Sequence, residues 1–388
     1  MLIERPVHFI DATATTSLDA HDLSEHLRRW GPLPAAAAAD RMIAQLRRAG
    51  LSGHGGAHFP VYRKWEAQLG RAAAGAVLVA NAAEGEPLSA KDAALLQLRP
   101  QLVLDGLAIA ADALGAHRRI LWLHDSATAS RAALEHALDQ RRERFPAEPA
   151  PTIRLVPASY LAGESSAVAR ALAGGPALPS FQAVSGRLES TDGQPLIVHN
   201  VETLARIALL SRGIAHRSRL FTVAHRGLRT VTEALHGDPL GAVLAAAGHV
   251  EPCTAVLVGG YGGQWLSGAE ASWLPSGQVG GAGVLLPLAP GDCGLRCTAA
   301  IVEYLAEAGA GQCGPCQFGL PALAELLAQL AEADLPLREV PRLPRMLAQL
   351  NRRGACNLPD GAVQLVTSAL SVFAADVQAH LRARRCDA

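Results

Sequence analysis

A chain of 388 residues, 49% hydrophobic and 18% charged, has length for two or three domains and apolar content for a sizeable core, which excludes a globally disordered protein. Lysines plus arginines equal aspartates plus glutamates at 35 each, and aromatics are only 4%. The chain therefore has no bulk attraction to nucleic acid or anionic lipid, and few rings on which single strands could stack. The first residues carry Glu4, Arg5 and Asp11, which is no secretory signal, and the apolar stretch Leu102–Ala116 is broken by Asp105 and Asp112. A soluble, cytoplasmic protein is expected, with no nucleic-acid partner and no direct membrane insertion.

Residues 1–40 read as an N-terminal leader. Trp30-Gly-Pro-Leu-Pro34 breaks it, and Met42–Arg48 follows at helical spacing. The leader is expected to pack on the main domain and to carry no chemistry. The stretch Gly50-Leu-Ser-Gly-His-Gly-Gly-Ala-His-Phe-Pro-Val-Tyr-Arg-Lys-Trp65 comes next. Gly53, Gly55 and Gly56 allow positive φ and close approach of a ligand to the backbone, and Lys64 places a full positive charge nearby. Taken alone, such a pattern also fits a plain glycine-rich turn.

Ala76–Asn81 reads as a buried parallel strand. Leu102–Gly115 reads as a helix, Ile120–Leu123 as a strand, Ala127–Gln140 as a helix and Ile153–Val156 as a strand. Strands alternating with helices predict a doubly wound α/β domain, in which ligands collect at the carboxyl ends of the strands. Two polar segments fall at such ends, one after Asn81 and one after Val156. From about Val223 to Leu288 the texture changes to strand, helix and strand, followed by the glycines 259, 260, 262 and 263. That glycine run reads as tight turns without chemistry. The remainder, Thr298–Glu307, Leu320–Ala331, Pro341–Arg352 and Ala362–Arg385, has apolar residues at three- and four-residue spacing and predicts a four-helix bundle.

The glycine stretch resembles the flavin loop of the 51-kDa NADH-binding flavoprotein family of respiratory complex I, which reads close to G-L-R-G-R-G-G-A-G-F-P-T-G-x-K-W. The glycines, Phe59, Pro60, Lys64 and Trp65 match, whereas His54 and His58 replace a family arginine and glycine. Asn81-Ala-Ala-Glu-Gly-Glu-Pro-Leu-Ser-Ala-Lys-Asp92 resembles N-A-D-E-G-E-P-G-T-F-K-D, with Ala83 and Ala90 as departures. Tyr160-Leu-Ala-Gly-Glu-Ser-Ser-Ala167 resembles Y-I-C-G-E-E-T-A, with Ser165 in place of the second glutamate. Val198-His-Asn-Val-Glu-Thr203 resembles V-N-N-V-E-T, with His199 in place of an asparagine. Phe181 stands where the family has a phenylalanine that helps hold the adenine, and Leu178 lies near a family lysine.

The resemblance implies an FMN/NAD-binding α/β domain at 41–215, a small ubiquitin-like β-grasp (SLBB-like) domain at 216–290, and a helical bundle with an iron–sulfur loop at 291–388. It implies that FMN is held by Gly53, Gly55, Gly56, Lys64, Asn81, Glu84, Gly163, Glu164, Asn200 and Thr203, with Phe59, Tyr160 and Val198 also among the cofactor-binding residues. By the same resemblance, Glu86 and Phe181 face NAD(H). No side chain is assigned as a catalytic acid or nucleophile, because the flavin carries the chemistry.

The seven cysteines are Cys253, Cys293, Cys297, Cys313, Cys316, Cys356 and Cys386. This odd count is a poor disulfide framework, and Cys313-Gly-Pro-Cys316 reads as metal or redox chemistry. The family loop E-S-C-G-x-C-x-P-C, with a fourth cysteine about 40 residues on, ligates a [4Fe–4S] cluster. By resemblance, Cys313, Cys316 and Cys356 are three of its ligands, and Ala310 replaces the other. Three outcomes follow: a cluster with a non-cysteine ligand or an open iron, recruitment of another cysteine, or an empty relic. Cys293 and Cys297 precede the first bundle helix and are expected at its far end, ~15 Å away at the helical rise per residue. Zinc fits the loop less well, since no histidine is near it in sequence.

The implied function is NADH oxidation through FMN, with single electrons passed to iron–sulfur centres or a ferredoxin-like partner. The alternative is a scaffold or relay subunit that keeps the fold without NADH oxidation. A small iron–sulfur protein, either a ferredoxin or a thioredoxin-like [2Fe–2S] subunit, is the expected partner, within a larger membrane-associated redox complex if one is present.

Overall fold

The computed structural model describes residues 22–35, 37–69, 75–180, 193–214, 217–382 and 386. The chain begins with three helices, α1 (Leu23–Trp30), α2 (Ala39–Ala49) and α3 (Val61–Leu69). Strand β1 (Ala76–Asn81) then leads into α4 (Lys91–Leu98) and α5 (Pro100–Leu114). After β2 (Ala116–His124), α6 (Thr128–Arg144), β3 (Thr152–Val156) and α7 (Ser165–Leu172), the chain returns through β4 (Leu196–Asn200) and α8 (Val201–Ser211). The four strands form one parallel sheet in the order β3-β2-β1-β4. Their near-continuous Val, Leu and Ile runs are what a sheet covered on both faces requires.

The expected strands and helices of this part are all present, β1 with the same ends and the others with ends shifted by up to four residues. β4, α4 and α7 lie in segments read only as motifs, because their polar ends masked the short apolar runs.

Helix α5 is buried almost along its whole length. It touches α8 so closely that a Cβ on Gly106 would lie 1.9 Å from the Leu204 carbonyl oxygen. Its one buried charge, Asp105, is tied to three neighbouring segments. It meets His26 of α1 at 2.8 Å and Arg141 of α6 at 2.8 Å, and it also pairs with Arg212 just beyond α8. Burial alone would raise its carboxyl pKa, but His26, Arg141 and Arg212 outweigh burial and hold the group ionised. The described part of the leader therefore packs on the main domain, as expected.

The second sheet is mixed. It contains β5 (Ser218–His225), β6 (Leu228–Leu235), β7 (Ala255–Val258), β8 (Gln264–Ser267) and β9 (Val284–Leu288), in the order β6-β5-β9-β7-β8. β5 and β9 are parallel, and the other pairs are antiparallel. Helices α9 (Leu240–Ala246) and α10 (Gly268–Trp273) accompany it.

The C-terminal helices are α11 (Gly294–Glu307), α12 (Leu320–Ala331), α13 (Arg342–Leu350), α14 (Leu358–Val372) and α15 (Ala374–Arg382). The single last helix expected from the sequence is in fact two, bent by 78° at Phe373. The Phe373 ring packs edge-on against Trp265 of β8, 5.1 Å between centroids, and it also fills the space beside Gly294. Cys293 caps α11 and Cys297 lies inside its first turn, so Cys297 does not precede the helix. Among the described residues no single helix is long and apolar enough to cross a membrane.

The α5–α8 contact gives a direct test. Gly106→Ala forces two helix backbones apart, and overpacking of this kind costs about 1–3 kcal/mol. The expected outcome is a lower urea midpoint for the α/β unit. An unchanged midpoint would show that α5 and α8 can separate freely.

Candidate functional site at the junction of β1 and β4

Strand order 3-2-1-4 reverses direction between β1 and β4, which is where open α/β sheets bind ligands. Asn81 and Asn200 end these two strands and are register partners. Each is locked by short local bonds. Asn81 accepts from the Ala83 amide and donates to the Gly163 carbonyl. Asn200 caps α8 by accepting from the Glu202 amide, and it donates to Asp92 at 2.5 Å.

A cleft of about 380 Å³ opens at this point. That volume lies within the roughly 300–1,000 Å³ of ordinary small-ligand sites. Gly55 and Gly56 form one rim, and Asn81, Glu84, Glu86 and Asn200 line the strand ends. Tyr160, Gly163 and Glu164 line a further side. A Cβ on Gly55 would press on Asn200, 3.3 Å from its Cβ. Gly56 has φ +102° and nothing within 4 Å of the place a Cβ would take. That stretch of backbone is bare toward the cleft, as a group lying against it needs.

Not every expected residue faces the cleft. The Gly53 amide donates to the Phe59 carbonyl and closes the loop, while the Phe59 side chain points to solvent. Thr203 is fully buried, and its Oγ1 accepts from the His54 amide, so it fixes the loop from behind. Val198 is buried in β4, and its carbonyl accepts from Lys64 Nζ at 2.8 Å. Lys64 does not line the cleft and ion-pairs with no carboxylate among the described residues. Burial brings its pKa down to about 8. Phe181 lies outside the described residues.

Other cleft residues were not picked out in the sequence. Lys91 and Asp92 line it, and so do Gly259, Gly262, Gly281 and Ala282 of the second sheet. The glycine run 259–263, expected to be turns without chemistry, therefore forms part of the wall. Its Gly260 lies against the Glu86 carboxylate, which accepts from the Tyr261 amide at 2.8 Å. Burial pushes the Glu86 carboxyl up to about 7.

Beneath the cleft Glu202, fully buried in α8, gathers several donors. Arg206 meets it at 2.8 Å, Lys91 at 3.3 Å and His54 at 3.7 Å, and the Leu220 amide donates at 2.9 Å. Burial alone would raise the Glu202 pKa, but these neighbours drive it well below the usual carboxylate range. Burial, with Arg206, Arg219 and Lys91, keeps His54 neutral at physiological pH, although Glu202 pulls the other way. The charges that hold Glu202 ionised are therefore Lys91 and Arg206.

The bundle closes the cleft. Cys356, Asn357, Leu358 and Gly361 line it, and Gly361 lies against Gly262. Cys316 is buried in a π-helical turn, Pro315–Gly319, ahead of α12. Burial raises its thiol pKa to about 11, with further contributions from Cys313 and Cys356. Burial also raises Cys356, which senses Glu164 and Cys313. Cys313 and Cys356 thus both act on the Cys316 thiol, and Cys356 lines the cleft; three thiols are a soft donor set suited to iron–sulfur chemistry. Recruitment of Cys293 or Cys297 is not supported, because they lie at the opposite end of α11, about 21 Å away for its length.

Residues 46–209 match the Nuo51 FMN-binding domain, and residues 296–380 match the NADH-ubiquinone oxidoreductase-F iron–sulfur binding region. Together the two models match more than half of the chain. It belongs to the 51-kDa flavoprotein family of NADH oxidoreductases. The F 2 subunit of NADH-quinone oxidoreductase of Rhizobium meliloti (strain 1021) is 25% identical, across 89% of this chain and 90% of that protein. The NADP-reducing hydrogenase subunit HndC of Solidesulfovibrio fructosivorans is 26% identical, across 89% of this chain and 77% of that protein. A solved NAD+-reducing [NiFe]-hydrogenase in its H2-reduced state superposes with a TM-score of 0.83. It is 26% identical, across 95% of this chain and 68% of that one.

One departure of this 51-kDa-type flavoprotein from the family pattern has a structural partner. His199 is buried, and its Nε2 accepts from Trp65 Nε1 at 2.8 Å, which requires a neutral ring. Burial, with Lys64 adding to it, holds the His199 pKa well below the ordinary value. Below pH ~6.5 the unfolded chain takes up a proton that the folded chain refuses. This contribution is full above that pH and is lost as pH falls, by up to about 1.4 kcal/mol per unit. His199→Asn is expected to flatten the decline of the urea midpoint between pH 7 and 5. An equal slope in wild type and variant would assign the decline to other groups.

Proposed function

We propose that this chain is the flavin-bearing subunit of an NADH-oxidising electron-transfer assembly. The observation that carries the reading is a single cleft walled by the glycine loop at one rim and by Cys356 of the cysteine set at another. FMN, when bound, accepts hydride from NADH and releases single electrons. The chain's own residues bind, orient and exclude water. The bare backbone of Gly55 and Gly56 gives a flat ligand close approach. Asn81, Asn200, Glu84 and Glu164 present oriented polar groups, and Cys313, Cys316 and Cys356 would hold iron on the bundle side. Glu86, with its pKa raised to about 7, is placed as a neutral or anionic hydrogen-bonding group for the nucleotide.

The proposed domains are a doubly wound FMN/NAD-binding unit over 41–215, a ubiquitin-like β-grasp unit over 216–290 and a bundle over 291–388. Support for the middle unit comes from its strand order, which in local numbering is 2-1-5-3-4 with strands 1 and 5 parallel, beside a helix. A small iron–sulfur protein as electron acceptor is supported by the three-thiol loop and by the names of the relatives, which are subunits. A cytoplasmic location accompanies that reading.

Lys64 is the residue proposed for the flavin phosphate; its amine is held on the Val198 carbonyl, two residues before the cleft-lining Asn200, and has to leave that carbonyl to reach the cleft. A buried amine bonded only to a carbonyl gains most from an incoming anion, because a charge-assisted contact contributes about 1.5–3 kcal/mol. Phosphate contact raises the amine pKa from about 8, so binding takes up a proton. FMN affinity is expected to fall as pH rises through 8, and Lys64→Met is expected to weaken retention at least tenfold and abolish that dependence. Equilibrium dialysis checks both. Anaerobic stopped-flow checks the activity. Bleaching of the flavin by NADH supports it, whereas flavin reduced by dithionite but untouched by NADH or NADPH leaves only the scaffold alternative.

A further inference from the structure

Away from the cleft, at the other end of α11, three donors from distant parts of the sequence meet. Cys293 Sγ, His380 Nε2 and Cys386 Sγ all lie within 4.8 Å of one another. Cys293 caps α11, His380 is on α15 and Cys386 follows α15 near the chain end. His380 is 1% exposed. Its Nδ1 lies 2.8 Å from the Leu330 carbonyl of α12, an acceptor only, so Nδ1 carries the proton and donates. The lone pair is then on Nε2, which lies 3.9 Å from Cys293 Sγ.

We propose that Cys293, His380 and Cys386 bind a divalent cation of the zinc class at this end of the bundle. Metal-ligating histidines commonly donate their other ring nitrogen to a carbonyl, which fixes the tautomer and the ring plane. The Leu330 carbonyl does this for His380. In a tetrahedral site with Zn–S near 2.3 Å and Zn–N near 2.0 Å, donor atoms lie about 3.5–3.8 Å apart. The observed separations need only a small inward movement to reach that spacing. Two thiols and an imidazole are a soft and borderline set that selects zinc over calcium or magnesium. Cys297 stands one turn from Cys293 along α11 but is not among the three mutually close donors, so the fourth position of the tetrahedron is left to solvent. Binding releases the two thiol protons to solvent and changes no oxidation state. Such an ion would join α11, α12 and α15, clamping the chain end to the bundle with no part in electron transfer.

The test uses the purified full chain, stripped with chelator and titrated with cobalt(II) as a spectroscopic stand-in. The triple variant Cys313→Ser, Cys316→Ser, Cys356→Ser removes the loop thiols. It is expected to keep one tetrahedral cobalt per chain, seen as absorption beyond the flavin bands. Adding Cys386→Ser or His380→Gln is expected to abolish that band and to weaken zinc, in chelator competition, by roughly a hundredfold. Three substitutions in the bundle put its folding at risk, so thermal melting of the otherwise native chain is the second measurement. Zinc is expected to raise its midpoint, and to leave that of Cys386→Ser unchanged. A triple variant that folds but shows no tetrahedral band would overturn the proposal. So would an equal zinc shift in native and Cys386→Ser proteins, or a Cys293–Cys386 disulfide in protein kept under reductant.

Discussion

The structure depends on one buried carboxylate. Glu202 sits in the first turn of α8, directly under the cleft, and is inaccessible to solvent. A charge in that place is tolerated only if neighbouring opposite charges and donors offset the lost hydration. Arg206 comes from one helical turn on, Lys91 from the start of α4, His54 from the glycine loop and the Leu220 amide from β5. Glu202 thereby fixes the glycine loop, the end of the polar segment after β1 and the first strand of the second sheet relative to one another. Removal of the carboxylate would leave Lys91 and Arg206 as neighbouring buried cations, so the site's geometry and the protein's stability are coupled here.

Much of this was legible in the sequence, for identifiable reasons. β1, α5 and β2 are long or uniformly apolar, and their burial follows from composition alone. The glycine loop and Asn81 could be read because close approach and strand-end polarity demand those residue types, whereas Asn200 was reached only through the family resemblance, since β4 itself was not read as a strand. Glu202 itself lay inside a recognised segment, but nothing local shows that a glutamate in a helix's first turn is fully buried. His54 and Lys91 lie far from it along the chain, and only the fold brings them together. The same applies to the wall formed by Gly259, Gly262 and Gly281, whose glycines serve both turns and ligand approach. The break at Phe373 was missed because the apolar spacing continues across it. At the break Phe373 packs on the Trp265 ring, a contact from far earlier in the chain that local spacing does not show.

The cysteines show the limit of spacing as a guide. Cys313 and Cys316 are paired by sequence and by structure, and Cys356 joins them from the start of α14. Cys293 and Cys297 precede the loop closely in sequence yet are separated from it by the length of α11. The neighbours of Cys293 are His380 and Cys386, which sequence distance gave no reason to group with it. A helix of fourteen residues thus sorts one set of thiols into two places with different surroundings, one against the cleft and one at the chain end.

The cleft has a further consequence because it is a seam. Its walls come from three parts of the chain, the parallel sheet, the mixed sheet and the bundle. At the cleft the second meets the third glycine against glycine, Gly262 on Gly361, while behind it Leu257, Trp265 and Leu288 of the mixed sheet pack into the bundle's own core. A molecule that fills the seam touches all three at once and stabilises only the arrangement in which they are assembled. Occupancy is therefore written into the position of the heat-capacity peak, which moves to higher temperature as the seam fills.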